Sequence, residues 1–262
     1  MLALIAGQGG LPPHLARVLA ERGEVPLVCE IEQFPSAIAG DFPRLTFRLE
    51  TLGQALATMV DMGVTQVCMA GAMRRPEIDP ALIDPLTAPL VPRLVAAMAL
   101  GDDGTLREFI SLFEEHGLSV IGAHQIDPAL VPPVGVLCGT VPKEAEADIA
   151  AAREALARMG AADLGQAVIV RGGRVVAQED DSGTAALVAG LGGASGGLLY
   201  KAPKPGQELR ADMPLIGLET ARQAVQAGLS GVVIQAGGVM VLDREATISA
   251  LDAAGLFLWV HP

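Results

Sequence analysis

The sequence predicts an α/β protein of two domains. Short apolar runs of strand length alternate with helical patterns in both halves, beginning with the run at 2–6 and a helix at 12–23. The stretch 127–142 has four prolines and no clear periodicity, and we assign 131–142 within it as a linker between the halves. Apolar residues make up 51% of the 262 residues, which is enough for a sizeable core in each half.

The N-terminal domain, 1–130, is predicted to be Rossmann-like with a parallel sheet. The strand at 2–6, a glycine turn, the helix and a second strand at 25–31 form a strand–helix–strand unit. A helix at 53–62 and a strand at 65–70 follow, then broken helices over 80–100, a helix at 105–116 and a strand at 118–123. We interpret this half as a nucleotide-binding domain.

The turns after these strands supply candidate ligand-binding residues, because open α/β sheets bind ligands beyond the carboxyl ends of their strands. The first turn contains Gly7, Gln8, Gly9, Gly10 and Leu11. It reads G-x-G-G, and Pro12 stands where a dinucleotide fingerprint has its last glycine, so a ligand loop and a purely structural turn both stay open.

Further candidates in this domain lie later in the chain. Gly71 ends the strand at 65–70, and Arg74 with Arg75 follows as a candidate phosphate contact or a solvated arginine pair. Asp102 and Asp103 precede a helix, where they suit a cation or ribose hydroxyls, unless Asp103 simply caps that helix.

The C-terminal domain, 143–262, is predicted to be a mixed α/β domain. A helix at 143–159 leads to a hairpin at 168–177, an acidic turn at 179–184 and a strand that ends near Tyr200. A strand at 232–236 and a strand–helix–strand unit at 239–260 complete it. Glu179 is a candidate ligand for a hard metal ion, and a solvated acidic turn is the alternative.

The cationic loop, residues 201–220, is the strongest candidate site. Of the three lysines in the chain, Lys201 and Lys204 lie here, and Arg210 and Asp212 follow. Three prolines stiffen the loop, and Thr220 begins a capping-box pattern that predicts a helix from about residue 221. Cations beside a helix amino end favour a phosphate-bearing ligand. Asp212 balances their charge, binds a metal ion or handles a proton.

Composition excludes some classes of function. The net charge of −12 and 3% aromatic residues argue against nucleic acid as a partner. The three cysteines have no metal-site spacing and are expected to be free thiols in a reducing compartment. We expect a cytoplasmic protein, because we find neither a signal segment nor an apolar run of about 18 residues.

The loop pattern K-x-x-K-P-x-Q-x-x-R-x-D-x-P-x-x-G, residues 201–217, resembles the signature of the LpxI family. These are the UDP-2,3-diacylglucosamine pyrophosphatases of lipid A biosynthesis. The segments IAGQGGLP at 5–12, AGAMRRP at 70–76, GDD at 101–103 and GAH at 122–124 extend the likeness over the whole chain. One departure is Ser182-Gly183-Thr184-Ala185, where the family often reads E-G-T-D.

The resemblance implies hydrolysis of UDP-2,3-diacylglucosamine to UMP and the lipid product 2,3-diacylglucosamine 1-phosphate. It implies that Asp212 is needed for catalysis and that a divalent cation, with magnesium the expected ion, takes part. Lys201, Lys204 and Arg210 would offset phosphate charge, and Thr184, Gln207 and Thr220 are assigned to substrate binding. We expect a cleft between the domains, with uridine near Gly9 and Gly10 and an acyl-chain groove in the C-terminal domain. Peripheral contact with the inner membrane and a homodimer are further expectations.

Two other classes of function stay open on the sequence. The N-terminal strand–helix–strand unit alone favours a nicotinamide-dependent oxidoreductase. A non-catalytic binder of an anionic lipid or metabolite would use the same cationic loop without turnover.

Overall fold

The computed structural model describes residues 1–74, 76–99, 101–162, 164–191 and 196–262. The chain forms two compact units. The first unit contains Met1–Pro128 and Arg210–Asp212, and the second contains Ala129–Leu209 and Met213–Pro262. The predicted two-domain α/β architecture is confirmed.

The first unit is built on a five-stranded sheet in which all neighbours are parallel. Its strands are β1 (Leu2–Ala6), β2 (Leu27–Ile31), β3 (Arg44–Phe47), β4 (Gln66–Ala70) and β5 (Ser119–Val120). The spatial order is β3-β2-β1-β4-β5, so the chain reverses its direction of winding between β1 and β4. Ligands of such sheets bind at this switch point.

The helices of the first unit pack around the apolar sheet. They are α1 (Leu11–Glu21), α2 (Leu52–Asp61), α3 (Val91–Met98), α4 (Asp102–Glu115) and α5 (Ala123–Ile126). The strands β1 and β2 are buried along nearly their whole length because a parallel sheet is covered on both faces. Leu56 and Met59 of α2 and Phe113 of α4 join the core over Leu27 and Val67 of the sheet.

The second unit is built on a six-stranded mixed sheet and a two-stranded ribbon. Its strands are β6 (Gly135–Cys138), β7 (Ala167–Arg171), β8 (Arg174–Gln178), β9 (Leu198–Lys201), β10 (Leu215–Ile216), β11 (Gly231–Gln235), β12 (Met240–Val241) and β13 (Phe257–His261). The large sheet has the order β6-β13-β11-β9-β7-β8, with β9, β11 and β13 parallel and the others antiparallel to their neighbours. β10 pairs with β12.

Two cores cover the two faces of this mixed sheet. The helices are α6 (Ala145–Ala161), α7 (Gly183–Ala189), α8 (Leu218–Gln226) and α9 (Arg244–Ala253). Along β9, Leu198 and Tyr200 pack with α6, whereas Leu199 packs in the other core with α7, α8 and α9. This alternation follows from the two-residue period of a strand.

Several predicted boundaries differ from the structure. The segment 131–142, predicted to be a linker, contains β6, which pairs with β13 at the edge of the second sheet, and the units divide after Pro128. α8 begins at Leu218, three residues before the predicted start. α4 begins at Asp102 with Gly101 as its N-cap, so Asp103 lies inside the helix and is not the cap.

Two properties inferred from composition have structural counterparts. All three cysteines are free thiols, and burial raises the pKa of Cys29 and of Cys68 to about 12. Within the described ranges, the helices are all too short or too polar to cross a bilayer.

Candidate functional site

The loops after β1 and β4 are joined at the switch point of the first sheet. The Gly7 amide donates to the carbonyl of Ala70 at 2.8 Å. Gln8 and Ala72 exchange backbone hydrogen bonds, each of 2.9 Å. Beyond the parallel strands, Gln8 and Ala72 therefore form an isolated antiparallel bridge, and both predicted glycine turns lie at one edge of the sheet.

Glycine is required where these two loops meet. A Cβ on Gly7 would lie 2.6 Å from the carbonyl oxygen of Ala72. Gly71 has φ +90°, and its Cβ would lie 2.7 Å from both the Gln8 oxygen and Cγ of Pro12. Side chains are strained by that φ and excluded by these distances. The glycines thus have a structural reason to be there, whichever ligand binds.

At the amino end of α1, the turn exposes its backbone but offers few N–H groups as hydrogen-bond donors. Gln8, Gly9 and Gly10 are exposed, whereas Leu11, the first helical residue, is buried. Pro12 and Pro13 follow, and neither has a backbone N–H group to donate. Helix N-termini bind phosphate through free N–H groups, so this turn is a poor pyrophosphate cradle. It suits a less charged part of a ligand.

The other candidates in the first unit differ in their exposure and in their hydrogen bonds. Arg74 is exposed next to the Gly71 turn, and Arg75 lies outside the described residues. Asp102 is exposed in the first turn of α4. Asp103 accepts a 2.6 Å hydrogen bond from Nε of Arg107 one turn along α4, so its carboxylate stabilises the helix.

The segment Arg210–Asp212 belongs by packing to the first unit. Nη1 of Arg210 lies 2.8 Å from Oε1 of Glu114 near the end of α4. Ala211 packs against the first core, and a Cβ on Gly122, just after β5, would lie 3.2 Å from Cα of Arg210. Asp212 is exposed. The segment therefore lies beside Gly122, the residue that follows β5 closely, and near the end of α4.

His124, two residues after Gly122, has a ring nitrogen without a hydrogen-bond partner among the described residues. Its Nδ1 is buried, and burial lowers the pKa of the imidazole. The ring lies against Gly122, where a Cβ would be 2.5 Å from the histidine Cε1. We predicted a structural or exposed role for this histidine, and its half-buried ring in contact with Gly122 fits the structural one.

In the second unit, three candidates predicted separately form one hydrogen-bonded chain. Nζ of Lys201 donates to the Thr184 hydroxyl at 2.8 Å, and that hydroxyl donates to Oε1 of Glu179 at 2.6 Å. The second carboxylate oxygen of Glu179 accepts from the Gln166 amide. Lys201 and Glu179 are 8% and 9% exposed, so the chain lies in the interior of the unit.

The first part of the cationic loop is held by close packing against glycine. Pro203 lies where a Cβ on Gly238 would approach within 2.7 Å, and Pro205 lies in the same way against Gly160 of α6, at 2.6 Å. Prolines with fixed φ seated on these glycines make the loop rigid.

Two loop residues assigned to substrate binding also have structural contacts. Oε1 of Gln207 accepts from the Lys204 amide at 2.8 Å and closes a turn. The Thr220 hydroxyl accepts from the Gly217 amide at 3.4 Å at the start of α8. Both side chains therefore shape the loop, in addition to any contact with a ligand.

Comparison with known proteins decides the family. A model of the LpxI N-terminal domain matches residues 1–130, and a model of the LpxI C-terminal domain matches residues 133–259. The chain belongs to the LpxI family. It is 35% identical over 268 aligned residues to the UDP-2,3-diacylglucosamine pyrophosphatase LpxI of Caulobacter vibrioides, covering 98% of this chain and 96% of that protein. The resemblance seen in the sequence is confirmed.

The residues of the LpxI loop pattern are divided between the two units. Lys201 and Lys204 belong to the second unit, together with Thr184 and Glu179, whereas Arg210 and Asp212 belong to the first. The sequence could not show this division, because Lys201 and Asp212 are only eleven positions apart. The partner of Arg210 was also missed: Glu114 is 96 residues away and carries no motif of its own.

The LpxI resemblance implies a divalent cation, and the carboxylates of Glu179 and Asp212 are its candidate ligands. Among the described residues, His, Cys, Asp and Glu side chains do not gather in a group of three or more. Both oxygens of Glu179 already accept hydrogen bonds, so Glu179 is a poor ligand. Asp212 is exposed and fits the mode in which magnesium uses one or two carboxylates plus substrate phosphates.

Proposed function

We propose that this protein hydrolyses the pyrophosphate bond of UDP-2,3-diacylglucosamine in lipid A biosynthesis. The products are UMP and 2,3-diacylglucosamine 1-phosphate. One observation carries the proposal: the 35% identity to a UDP-2,3-diacylglucosamine pyrophosphatase runs over 98% of the chain, so it includes both units and the whole cationic loop.

The charges of the loop are suited to this reaction. Water adds to one phosphorus, the bridging P–O bond breaks, and negative charge develops on the leaving phosphate oxygen. Fixed cations that meet this charge supply much of the catalysis in phosphoryl transfer. Lys201, Lys204 and Arg210 are the cations we assign to that role, and Asp212 is the carboxylate that orients the water or holds the cation.

We further propose that magnesium takes part, with Asp212 as its protein ligand. When bound, the ion neutralises charge on phosphate oxygens. The exposed position of Asp212 supports this role, since a cation there stays accessible to substrate phosphates and water. We no longer assign Glu179 to the metal, because its oxygens already accept hydrogen bonds from Thr184 and Gln166.

The parts of the substrate are assigned by the character of each unit. The exposed turn at Gly9 and Gly10 sits at the switch point of the first sheet and offers few phosphate donors, which supports an assignment to the uridine end. We assign the acyl chains to the second unit, next to the cationic loop. Arg74 and Asp102, both exposed in the first unit, are further proposed contacts for the uridine diphosphate.

A peripheral location on the cytoplasmic face of the inner membrane fits a substrate with two acyl chains. Four large apolar side chains, Ile78, Leu82, Leu86 and Val95, are 44% to 62% exposed within one stretch of the first unit. Co-sedimentation with phospholipid vesicles tests this location. Loss of sedimentation in a Leu82→Ser, Leu86→Ser double variant supports it, and unchanged sedimentation contradicts it.

The deciding experiment incubates the purified protein with UDP-2,3-diacylglucosamine and follows both products by mass spectrometry. We expect stoichiometric UMP and 2,3-diacylglucosamine 1-phosphate, loss of turnover with a chelator, and recovery with added magnesium. Turnover that survives chelation contradicts the metal proposal alone. Binding without release of UMP contradicts the hydrolase and favours a non-catalytic binder, whereas saturable binding of NADH favours an oxidoreductase.

A further inference from the structure

The hydrogen-bonded chain from Lys201 through Thr184 to Glu179 lies on rigid parts of the second unit. Lys201 is the last residue of β9, an interior strand that pairs with β11 on one side and β7 on the other. Thr184 is the second residue of α7, and Glu179 directly follows β8. A side chain at the carboxyl end of a central strand is well placed to meet a ligand.

Glu179 is held by both its backbone and its side chain. Its amide donates to the Ala167 carbonyl at 3.0 Å, and its carboxylate accepts from the Gln166 amide next to it. Gly165 leaves room for it, because a Cβ there would lie 2.5 Å from Cβ of Glu179. The Gln166 carbonyl in turn accepts from the Ala202 amide, next to Lys201, at 3.1 Å. The backbone of Gln166 therefore holds both ends of the relay, since its amide bonds to Glu179 and its carbonyl bonds to the residue after Lys201.

The direction of the hydrogen bonds in this relay follows from the chemistry of its groups. An ammonium has only donors, and an ionised carboxylate has only acceptors. The Thr184 hydroxyl donates its one proton in the hydrogen bond to Glu179, so it accepts from Lys201 through a lone pair. A hydroxyl polarised by a carboxylate is a stronger acceptor than a free one, so the negative charge of Glu179 reaches the ammonium through one oxygen.

Such a relay solves a problem that a buried cation creates. An ammonium only 8% exposed loses hydration, which costs free energy unless polar groups replace the lost water. A carboxylate placed one hydroxyl away helps to stabilise the buried ammonium and aims it. This geometry also accounts for the acid at 179 without a metal ion.

We propose that Glu179 is a positioning residue for Lys201, acting through the Thr184 hydroxyl, in the pyrophosphate hydrolysis proposed above. The inference rests on that proposed function and gives Glu179 and Thr184 one shared role.

The test measures kcat and KM for UDP-2,3-diacylglucosamine with variants that change single atoms of the relay. Thr184→Val keeps the shape and removes the hydroxyl, whereas Thr184→Ser keeps the hydroxyl. We expect Thr184→Val and Glu179→Gln to lower kcat about 10- to 100-fold, the range for a lost hydrogen bond to a charged group. Thr184→Ser should stay within about 3-fold of the wild type, corresponding to a hydrogen bond that is kept.

A matched control separates catalysis from folding. Thr247 is 1% exposed in the same unit, and its hydroxyl donates to the Leu242 carbonyl at 2.9 Å. Thr247→Val should lower the melting temperature without lowering kcat. If Thr184→Val changes only the melting temperature, as Thr247→Val does, the positioning role is wrong and the relay is purely structural.

A double-mutant cycle tests whether Glu179 acts through Lys201. In a Lys201→Met background, we expect Glu179→Gln and Thr184→Val to cause no further loss of kcat, because residues that act as a unit are not additive. Additive losses contradict the inference, and so does a Lys201→Met variant with wild-type kcat. Absence of turnover in the wild-type protein would instead contradict the proposed function itself.

Discussion

Asp212 is the residue on which the proposed chemistry depends most. It is the exposed carboxylate of the loop pattern and lies in the segment that packs on the first unit. We expect Asp212→Asn to lower kcat by about 10³-fold or more, as for other groups needed in the transition state, while the dissociation constant for substrate stays near the wild-type value. Calorimetric titration and UMP release measure the two quantities separately.

A second exposed aspartate controls for the loss of one surface charge. Asp61, at the end of α2, is exposed in the same unit, and Asp61→Asn should leave both kcat and substrate affinity unchanged. Near-normal kcat in Asp212→Asn would show that the carboxylate is neither a cation ligand nor an orienting group for water.

Glu50 carries a prediction about acid stability. It is 2% exposed, and Arg48 donates to it from Nη2 at 2.9 Å and from Nε at 3.2 Å, while the Asp79 amide donates at 2.8 Å. The hydrogen bond from Arg48, joined by that from Asp79, lowers the pKa of Glu50 to about 2. A lowered folded-state pKa stabilises the fold above the unfolded-state value of 4.5, and this contribution is lost as pH falls from there towards 2.

The Glu50→Gln variant tests that contribution. Its melting temperature at pH 7 should be several degrees below the wild-type value, corresponding to about 1–3 kcal/mol, and the two values should converge between pH 4.5 and pH 2. Glu24→Gln, at an exposed turn position, should match the wild type throughout. A deficit that persists unchanged at pH 2 would show that lost packing is responsible, and not lost charge.

At the level of elements, the meeting of the β1 and β4 loops makes a sharp prediction about glycine. Gly63 and Gly71 have similar φ values, +77° and +90°, but a Cβ on Gly63 has open space, whereas on Gly71 it meets backbone at 2.7 Å. Gly63→Ala should cost about 1 kcal/mol through strain alone. Gly71→Ala should cost about 2–3 kcal/mol more, because overpacking is added.

Thermal unfolding of the two alanine variants makes the comparison. We expect the larger fall in melting temperature for Gly71→Ala, along with a fall in turnover if the joined loops form part of the site. Equal effects of the two substitutions would show that the loops separate easily and that their close approach contributes little.

The elements that could be predicted from the sequence are those with their own apolar pattern. The strand at 2–6 and the helix over 53–62 correspond closely to β1 and α2, because five or more consecutive residues support each assignment. The strands β3, β6 and β10 were missed. Each has only two to four residues, and each is stabilised by pairing with a distant strand, which a local pattern does not record.

On the scale of the whole molecule, composition and alternation predicted both units, but not the path of the cationic loop. The loop motif identified its charged residues as a group, and the structure assigns Lys201 to one unit and Arg210 to the other. Proximity in sequence could not reveal this, since membership of Arg210 in the first unit depends on Glu114 and Gly122, which are about ninety residues earlier. The relay from Lys201 to Glu179 was hidden for the same reason: it joins the ends of two strands and the start of a helix.

Because each unit has its own core, the two halves are predicted to fold apart but not to catalyse apart. The fragment 129–262 contains all eight strands from β6 to β13 and both of their cores, so it should unfold cooperatively on heating. The fragment 1–128 keeps its five-stranded sheet but loses Ala211 and the Arg210–Glu114 ion pair, so its melting temperature should be lower than that of the first unit in the full chain.

Circular dichroism on heating and UMP release measure the two properties of each fragment. Neither should hydrolyse UDP-2,3-diacylglucosamine, because fragment 1–128 lacks the cationic loop and fragment 129–262 lacks the first-unit residues that we assign to the substrate. In fragment 129–262, Asp212 is present but lacks the surface on which its segment packs. Turnover by that fragment alone would show that the first unit is not needed for chemistry, and it would limit the active site to the cationic loop and the relay behind it.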